Sequence, residues 1–389
     1  MFSIRTQWNL TPNRLSDLVS EKRRQSDALI DLTESNPTRC GFTYPRDIIL
    51  HALADASSLI YNPDPRGLLT ARQAIVEYNA TRGISLRPEQ IVLTTSTSEA
   101  YSFLFKLLCD TGDEVLVPRP SYPLFDYLGQ VNDITLRQYH LVYDGEWHID
   151  FESLESAYSD RVRAIVLVHP NNPTGSSIQQ HEFDKVCSFA SKHQCALIID
   201  EVFESYTLDP GKNHLPPLIA DASVLSFTLN GISKILGLPQ IKLSWIIVQG
   251  RASQNEEALN RLDIIADTFL SVSTPAQVAL PALLNQLHCL HDQIHERIRN
   301  NYRLLDELFA SSRVTPLRAE SGWYAILQLP QFHSDEDWAL ALLQQENIFV
   351  YPGHFFDMQQ RSCLVFSLLP PPEVLADALA RLRLLVERS

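Results

Sequence analysis

Between about residues 68 and 250, short apolar runs alternate with segments of helical spacing, and this alternation restricts the fold more than any other feature. Ala71, Ala74, Ile75 and Tyr78 recur at helical intervals, as do Tyr101, Leu104, Phe105 and Leu108. Phe183, Val186, Cys187 and Ala190 repeat the pattern. Between them, Ile91–Thr95, Glu114–Val117, Ala164–Val168, Ala196–Ile199, Val224–Phe227 and Ser244–Val248 read as strands. Runs that are apolar throughout belong in strands buried on both faces. The expectation is therefore an α/β fold, with a mostly parallel sheet covered by helices.

After residue 250 the pattern changes. Residues 253–270 and 275–311 read as long helices, with Pro275 and Pro281 near the start of the second. Strand-like segments follow at Tyr324–Leu329, Ile348–Tyr351 and Cys363–Leu368, then a helix over about Pro372–Glu387. At 389 residues the chain exceeds what one hydrophobic core usually organises. The expected division is a large domain at 46–274 and a small α+β domain built from 1–45 and 275–389.

Composition excludes some partners. The 32 Lys and Arg against 46 Asp and Glu leave a formal charge of −14, which argues against nonspecific binding to nucleic acid or anionic membranes. The N-terminus lacks the basic and apolar segments of a secretory signal, and no run approaches the roughly 18 apolar residues of a membrane span. The six cysteines form no Cys-x-x-Cys and are widely spaced, so reduced thiols in the cytoplasm are expected rather than disulfides or zinc. His288, His291 and His295 share a helical spacing but lack a supporting ligand set, and read as a solvated helix face.

Polar residues gather just after the predicted strands, where open α/β sheets bind ligands. Ser96-Thr97-Ser98 follows one strand and opens a helix; its hydroxyls and amides suit a phosphate, but on this segment alone an N-cap by Ser98 is the stronger reading. His169-Pro-Asn-Asn-Pro-Thr-Gly175 follows another. Asp200 ends a fully apolar strand, as a cap or as the partner of a buried cation. Lys234 lies in Asn230-Gly-Ile-Ser-Lys234; a lone lysine in a loop is ordinarily solvated.

Taken in order, these segments resemble the class I/II aminotransferases of fold type I, which use pyridoxal 5′-phosphate. Asn172 precedes Asp200 by 28 residues, and Asp200 precedes Lys234 by 34. Tyr61-Asn-Pro-Asp-Pro-Arg-Gly67, Gly112-Asp-Glu-Val-Leu-Val-Pro118, Pro120-Ser-Tyr-Pro123 and Val350-Tyr-Pro-Gly353 strengthen the match, which covers nearly the whole chain. The resemblance implies that Lys234 forms a Schiff base with the cofactor and moves the α-proton. It implies that Asp200 pairs with the pyridine nitrogen, Asn172 donates to the phenolate oxygen and Tyr122 stacks on the ring. Ser96, Thr97, Ser98 and Lys242 would bind the phosphate. Tyr61 would reach the phosphate of a neighbouring subunit, which implies a homodimer. The implied reaction moves an amino group between an amino acid, or related amine, and a 2-oxo acid. Lyase, decarboxylase or racemase chemistry on the same scaffold, or a noncatalytic binding relic, are the alternatives.

The sequence departs from the family pattern at four places. Lys242 replaces the usual Arg, with Gln240 and Ser244 where small glycines are usual. Phe203 replaces a common Tyr. Gly231 replaces a phosphate-binding hydroxyl residue. Val365 falls where the family places the arginine that forks onto the substrate carboxylate. Arg39, Arg361 and Arg66 are candidate replacements, and Asn36 is a further substrate-binding candidate. Trp323 and Tyr324 belong either to the substrate pocket or to the core.

Overall fold

The computed structural model describes residues 1–25, 29–208, 215–220, 222–286 and 288–389. Its centre is an eight-stranded sheet. The strands are β1 (Ile91–Thr94), β2 (Glu114–Arg119), β3 (Thr135–Tyr143), β4 (Trp147–Ile149), β5 (Val162–Val168), β6 (Ala196–Asp200), β7 (Ser226–Gly231) and β8 (Ser244–Gln249). Their order is β1-β8-β7-β6-β5-β2-β3-β4. Strands β7, β6, β5, β2 and β3 are mutually parallel. Strand β8 runs antiparallel between β7 and β1, so β1 points the same way as the parallel set. Strand β4 is an antiparallel edge.

The apolar runs are buried on both faces, as their composition requires. Val115, Val117, Ile198 and Leu229 pack to one side with Phe103, Leu104 and Leu262. Leu116, Ile165, Leu197 and Ile199 pack to the other with Phe183 and Val186. Each fully buried Leu, Ile or Val contributes about 1.5–3 kcal/mol. Strand β3 lay outside the sequence expectation because Arg137, Gln138 and His140 break up its apolar residues. It sits one strand from the edge, where one face stays open.

A second, antiparallel sheet comprises β9 (Thr315–Pro316), β10 (Tyr324–Gln328), β11 (Tyr351–Pro352) and β12 (Cys363–Ser367), in the order β9-β10-β12-β11. The N-terminal segment joins this part of the fold. Ile30–Asp31 pairs in parallel with Ile348–Phe349, and Leu15 and Val19 of the helix Arg14–Arg24 are buried. Helices at Ala252–Phe269, Thr274–Gln286, His288–Phe309 and Pro372–Arg388 fill the expected helical stretches, with Pro281 inside the second. No helix among the described residues is long and apolar enough to cross a membrane.

The histidine expectation needs correction. His291 is largely covered, stacks on Tyr206 and donates from Nε2 to the Ser205 carbonyl. His295 is buried and donates from Nε2 to the Thr207 carbonyl. Only His288 stays exposed. These two rings turn inward because each donates to a carbonyl of the Glu204–Leu208 segment, that of Thr207 accepting from Arg299 as well. No group of His, Cys, Asp and Glu among the described residues is arranged to hold a metal.

Candidate active site

Five segments leave the carboxyl ends of same-direction strands and meet along one edge of the large sheet. Ser96 follows β1, Tyr122 follows β2, Asn172 follows β5, Asp200 ends β6 and Lys234 follows β7. Strand order therefore gathers residues spread over more than a hundred positions.

The helix Thr97–Leu108 begins at the edge beside β1. Its N-cap is Ser96, not Ser98: Ser96 Oγ accepts the Glu99 amide at 3.1 Å, and Glu99 in turn accepts the Thr95 amide at 2.6 Å. Ser96-x-x-Glu99 is a capping-box spacing visible in the sequence. The hydroxyls of Thr97 and Ser98 lie in the first turn, outside that exchange, where amides and helix dipole favour an anion.

Asp200 is buried. Its Oδ1 accepts the Val202 amide at 3.1 Å and its Oδ2 accepts the Tyr101 hydroxyl at 3.0 Å. Burial pushes the carboxyl up to about 6, against the pull of these two donors and of Lys234. Lys234 lies in a single helical turn, Ile232–Ile235, with Nζ 4.7 Å from the Trp323 ring centre and 5.2 Å from that of Phe203. Burial pushes its amine down to about 8, opposed by Asp200. The Tyr206 hydroxyl holds the turn from behind, donating to the Lys234 carbonyl at 2.6 Å. A lysine with a depressed pKa is a better nucleophile and base near neutral pH.

Asn172 is half-buried, and its Oδ1 is covered without a hydrogen-bond partner among the described residues. Tyr122 is partly exposed and meets Phe125 edge-on. Lys242 is exposed and has a left-handed backbone, φ 60°. Tyr61 is exposed beside Leu59 and Ile60. These residues fit pyridoxal phosphate: a helix N-terminus for the phosphate, a buried carboxylate for the ring nitrogen, a half-buried side-chain amide and an amine of lowered pKa.

The glycine–serine exchange has a spatial logic. Gly231 and Ser244 are register partners across β7 and β8. A Cβ built on Gly231 would lie 2.2 Å from Ser244 Oγ. The Ser244 hydroxyl therefore fills the space that a side chain at 231 would take. The glycine at 231 leaves room for the hydroxyl on the neighbouring strand. Sequence reasoning noted both departures without pairing them; only the register joins them.

A cavity of about 370 Å³ opens beside Lys234, lined by Asn36 and Tyr351 among others. Of the carboxylate-anchor candidates, Asn36 reaches this wall. Arg39 extends into solvent, 3.8 Å from Glu34. Arg361 is exposed ahead of β12. Arg66 is committed elsewhere, forked onto Asp263 at 2.6 and 2.7 Å. Val365 is fully buried, in register with Ile326 and Tyr351. Trp323 is fully buried, yet it borders Lys234, so it serves core and site together.

Two arrangements escaped the sequence. Tyr101 reads as an apolar helix face, but its hydroxyl reaches Asp200. Behind the site, Arg82 binds Glu201 at 2.8 Å and lies 3.3 Å from Glu204, which also accepts the Tyr78 hydroxyl at 2.6 Å. The adjacent Glu201 and Glu204 were the available signal, since a buried carboxylate pair needs a cation.

The family model for aminotransferase class I and II matches residues 28–382. Curated relatives include a glutamate-pyruvate aminotransferase of Haemophilus influenzae, 25% identical over 367 residues, covering 92% of this chain and 90% of that protein. An alanine aminotransferase of Mycobacterium tuberculosis is 28% identical over 368 residues, covering 91% and 84%. Among solved structures, an alanine aminotransferase from Pyrococcus furiosus superposes with a TM-score of 0.89 at 23% identity, over 100% of both chains. An aspartate aminotransferase from Thermotoga maritima gives 0.86 at 19%, over 99% and 100%. With the fold-type I architecture and the family match in agreement, the chain belongs to the class I and II aminotransferases.

Proposed function

We propose that this aminotransferase works through pyridoxal 5′-phosphate held along the carboxyl edge of the large sheet. Lys234 is the catalytic amine. It takes the α-proton of the amino donor and returns it, and its pKa of about 8 leaves a usable neutral fraction near neutral pH. Asp200 faces the pyridine nitrogen, Asn172 donates to the phenolate oxygen and Tyr122 covers the ring. Thr97 and Ser98, with Ser96 shaping the turn and Lys242 nearby, receive the phosphate, and the Ser244 hydroxyl serves where Gly231 has none. When bound, the cofactor supplies an electron-withdrawing ring; the protein keeps that ring protonated, oriented and dry. The observation that carries this reading is geometric: Asp200, buried at the end of β6 with two donors on its carboxylate, and Lys234, following β7 beside the Trp323 ring, stand at the same edge of the sheet, and their shifts in opposite directions agree with it.

The substrates are an amino acid, or related amine, and a 2-oxo acid, in keeping with relatives named for glutamate, pyruvate and alanine. With Val365 buried, Asn36, on the cavity wall, takes the substrate carboxylate, and Arg39 and Arg361 are the alternatives. Tyr61 serves a neighbouring subunit in a homodimer, a reading supported by the run Leu59-Ile60-Tyr61, apolar and exposed. Residues 46–274 act as the cofactor-binding domain, and 1–45 with 275–389 as the small domain. A cytoplasmic location fits the six free cysteines. The test is an amino-donor screen on purified holoprotein, following bleaching of the cofactor's visible band and its return on adding an oxo acid. Release of ammonia or carbon dioxide without that cycle would replace transamination by lyase or decarboxylase chemistry.

A further inference from the structure

We propose that Glu34 selects amino donors by side-chain charge, disfavouring a second carboxylate and favouring a neutral or basic side chain. This rests on the aminotransferase reading of the Lys234 cavity. Among the described residues, the cavity wall carries two carboxylates, Asp31 and Glu34, and one cation, Lys234 itself. The cofactor takes that lysine, which leaves the substrate to meet the acids.

The two acids are not equivalent. Asp31 is spent: its Oδ2 lies 3.1 Å from Arg23, and its Oδ1 accepts both the amide and the hydroxyl of Thr33, at 3.0 and 2.5 Å. Glu34 is held but not neutralised. Its Oε1 accepts the Asn36 amide at 2.9 Å, which fixes the carboxylate on the wall. Its Oε2 lies 3.8 Å from Arg39, whose side chain is 74% exposed. An ion pair that long and that wet contributes little. The charge is felt nearby: after burial, Glu34 is the main influence pushing the Cys40 thiol up to about 12.

A donor whose α-carboxylate lies at Asn36 brings its side chain into the same cavity as Glu34. A second carboxylate there meets a fixed like charge in partly dry surroundings, whereas an amide of the same shape does not. Glutamate and glutamine therefore isolate charge from size.

The experiment measures kcat/KM of the amino-donor half-reaction for L-glutamate, L-glutamine and L-ornithine, by bleaching of the visible band. Glutamine and ornithine are expected to exceed glutamate by about 10-fold or more. Glu34→Gln should bring the glutamine-to-glutamate ratio to within about 2-fold, while Asp31→Asn leaves it near wild type. Each ratio is taken on one preparation, so partial misfolding cancels; Glu34→Ala gives the same test should the glutamine variant fail to accumulate. Glutamate equal to or better than glutamine, or a ratio unmoved by Glu34 substitution, overturns the proposal and leaves transamination standing. A holoprotein with no visible band, converting none of the three, overturns the underlying reading as well.

Discussion

Replacing Tyr101 by Phe removes one oxygen and leaves the ring packed against Phe105 and Phe125. It also strips Asp200 Oδ2 of its hydroxyl donor, at 3.0 Å in a buried site. A hydrogen bond to a charged group is worth about 1.5–3 kcal/mol, and one pH unit corresponds to about 1.4 kcal/mol. The carboxyl, already near 6, should therefore titrate roughly one to two pH units higher. The sign follows from the charge: the hydroxyl stabilises the ionised form, so its loss favours the protonated one. At pH 7 the ionised fraction falls by about 2- to 10-fold, and cofactor affinity should fall with it. The assay is equilibrium binding of pyridoxal phosphate to apoprotein, from pH 5 to 9. The rising limb of affinity should move to higher pH in Tyr101→Phe, and the two proteins should converge at the alkaline end. A uniform loss at every pH would mean that the hydroxyl only packs. An unmoved or lowered midpoint would refute the electrostatic reasoning.

Three further outcomes follow from the geometry. Gly231→Ser alone should weaken cofactor binding through its clash with Ser244, and Ser244→Gly alone through loss of the hydroxyl; the double exchange should restore much of the affinity, as equilibrium binding will show. Arg82→Met should cost about 3–5 kcal/mol in denaturant unfolding, because Glu201 and Glu204 are left buried without their cation. His295 is held down to about 4 by burial, below its ordinary 6.5. The folded state therefore resists its protonation, and stability should drop as pH falls from about 6.5 towards 4. Thermal melting of His295→Asn should show a shallower drop over that window.

The sheet was legible because its strands are continuous apolar runs; six of the eight stand within a few residues of where the pattern placed them. Strands β3 and β4 were not, because a half-exposed strand has no such run. The order of Asn172, Asp200 and Lys234 pointed to the candidate site, since strand-end residues need only the right strand order to meet. What the sequence withheld depends on register or on packing between distant segments. Gly231 and Ser244 compensate one another only across a strand pair. Tyr101 looks apolar until its hydroxyl finds Asp200. His291 and His295 look solvated until the carbonyls they cap are in place. The carboxylate anchor stayed open for the same reason: Val365 gives no charge, and which of Asn36, Arg39 and Arg361 stands at the cavity shows only once the N-terminal segment is packed beside Lys234.

The central claim is that Lys234 is the residue that engages the cofactor. It is tested most directly by reducing the holoprotein with borohydride and mapping the modified peptide by mass spectrometry. Pyridoxyl phosphate is expected on Lys234 alone, with none on Lys242 and no labelled peptide in Lys234→Ala. Stable label on another lysine, or equal labelling in the Lys234→Ala variant, would contradict it.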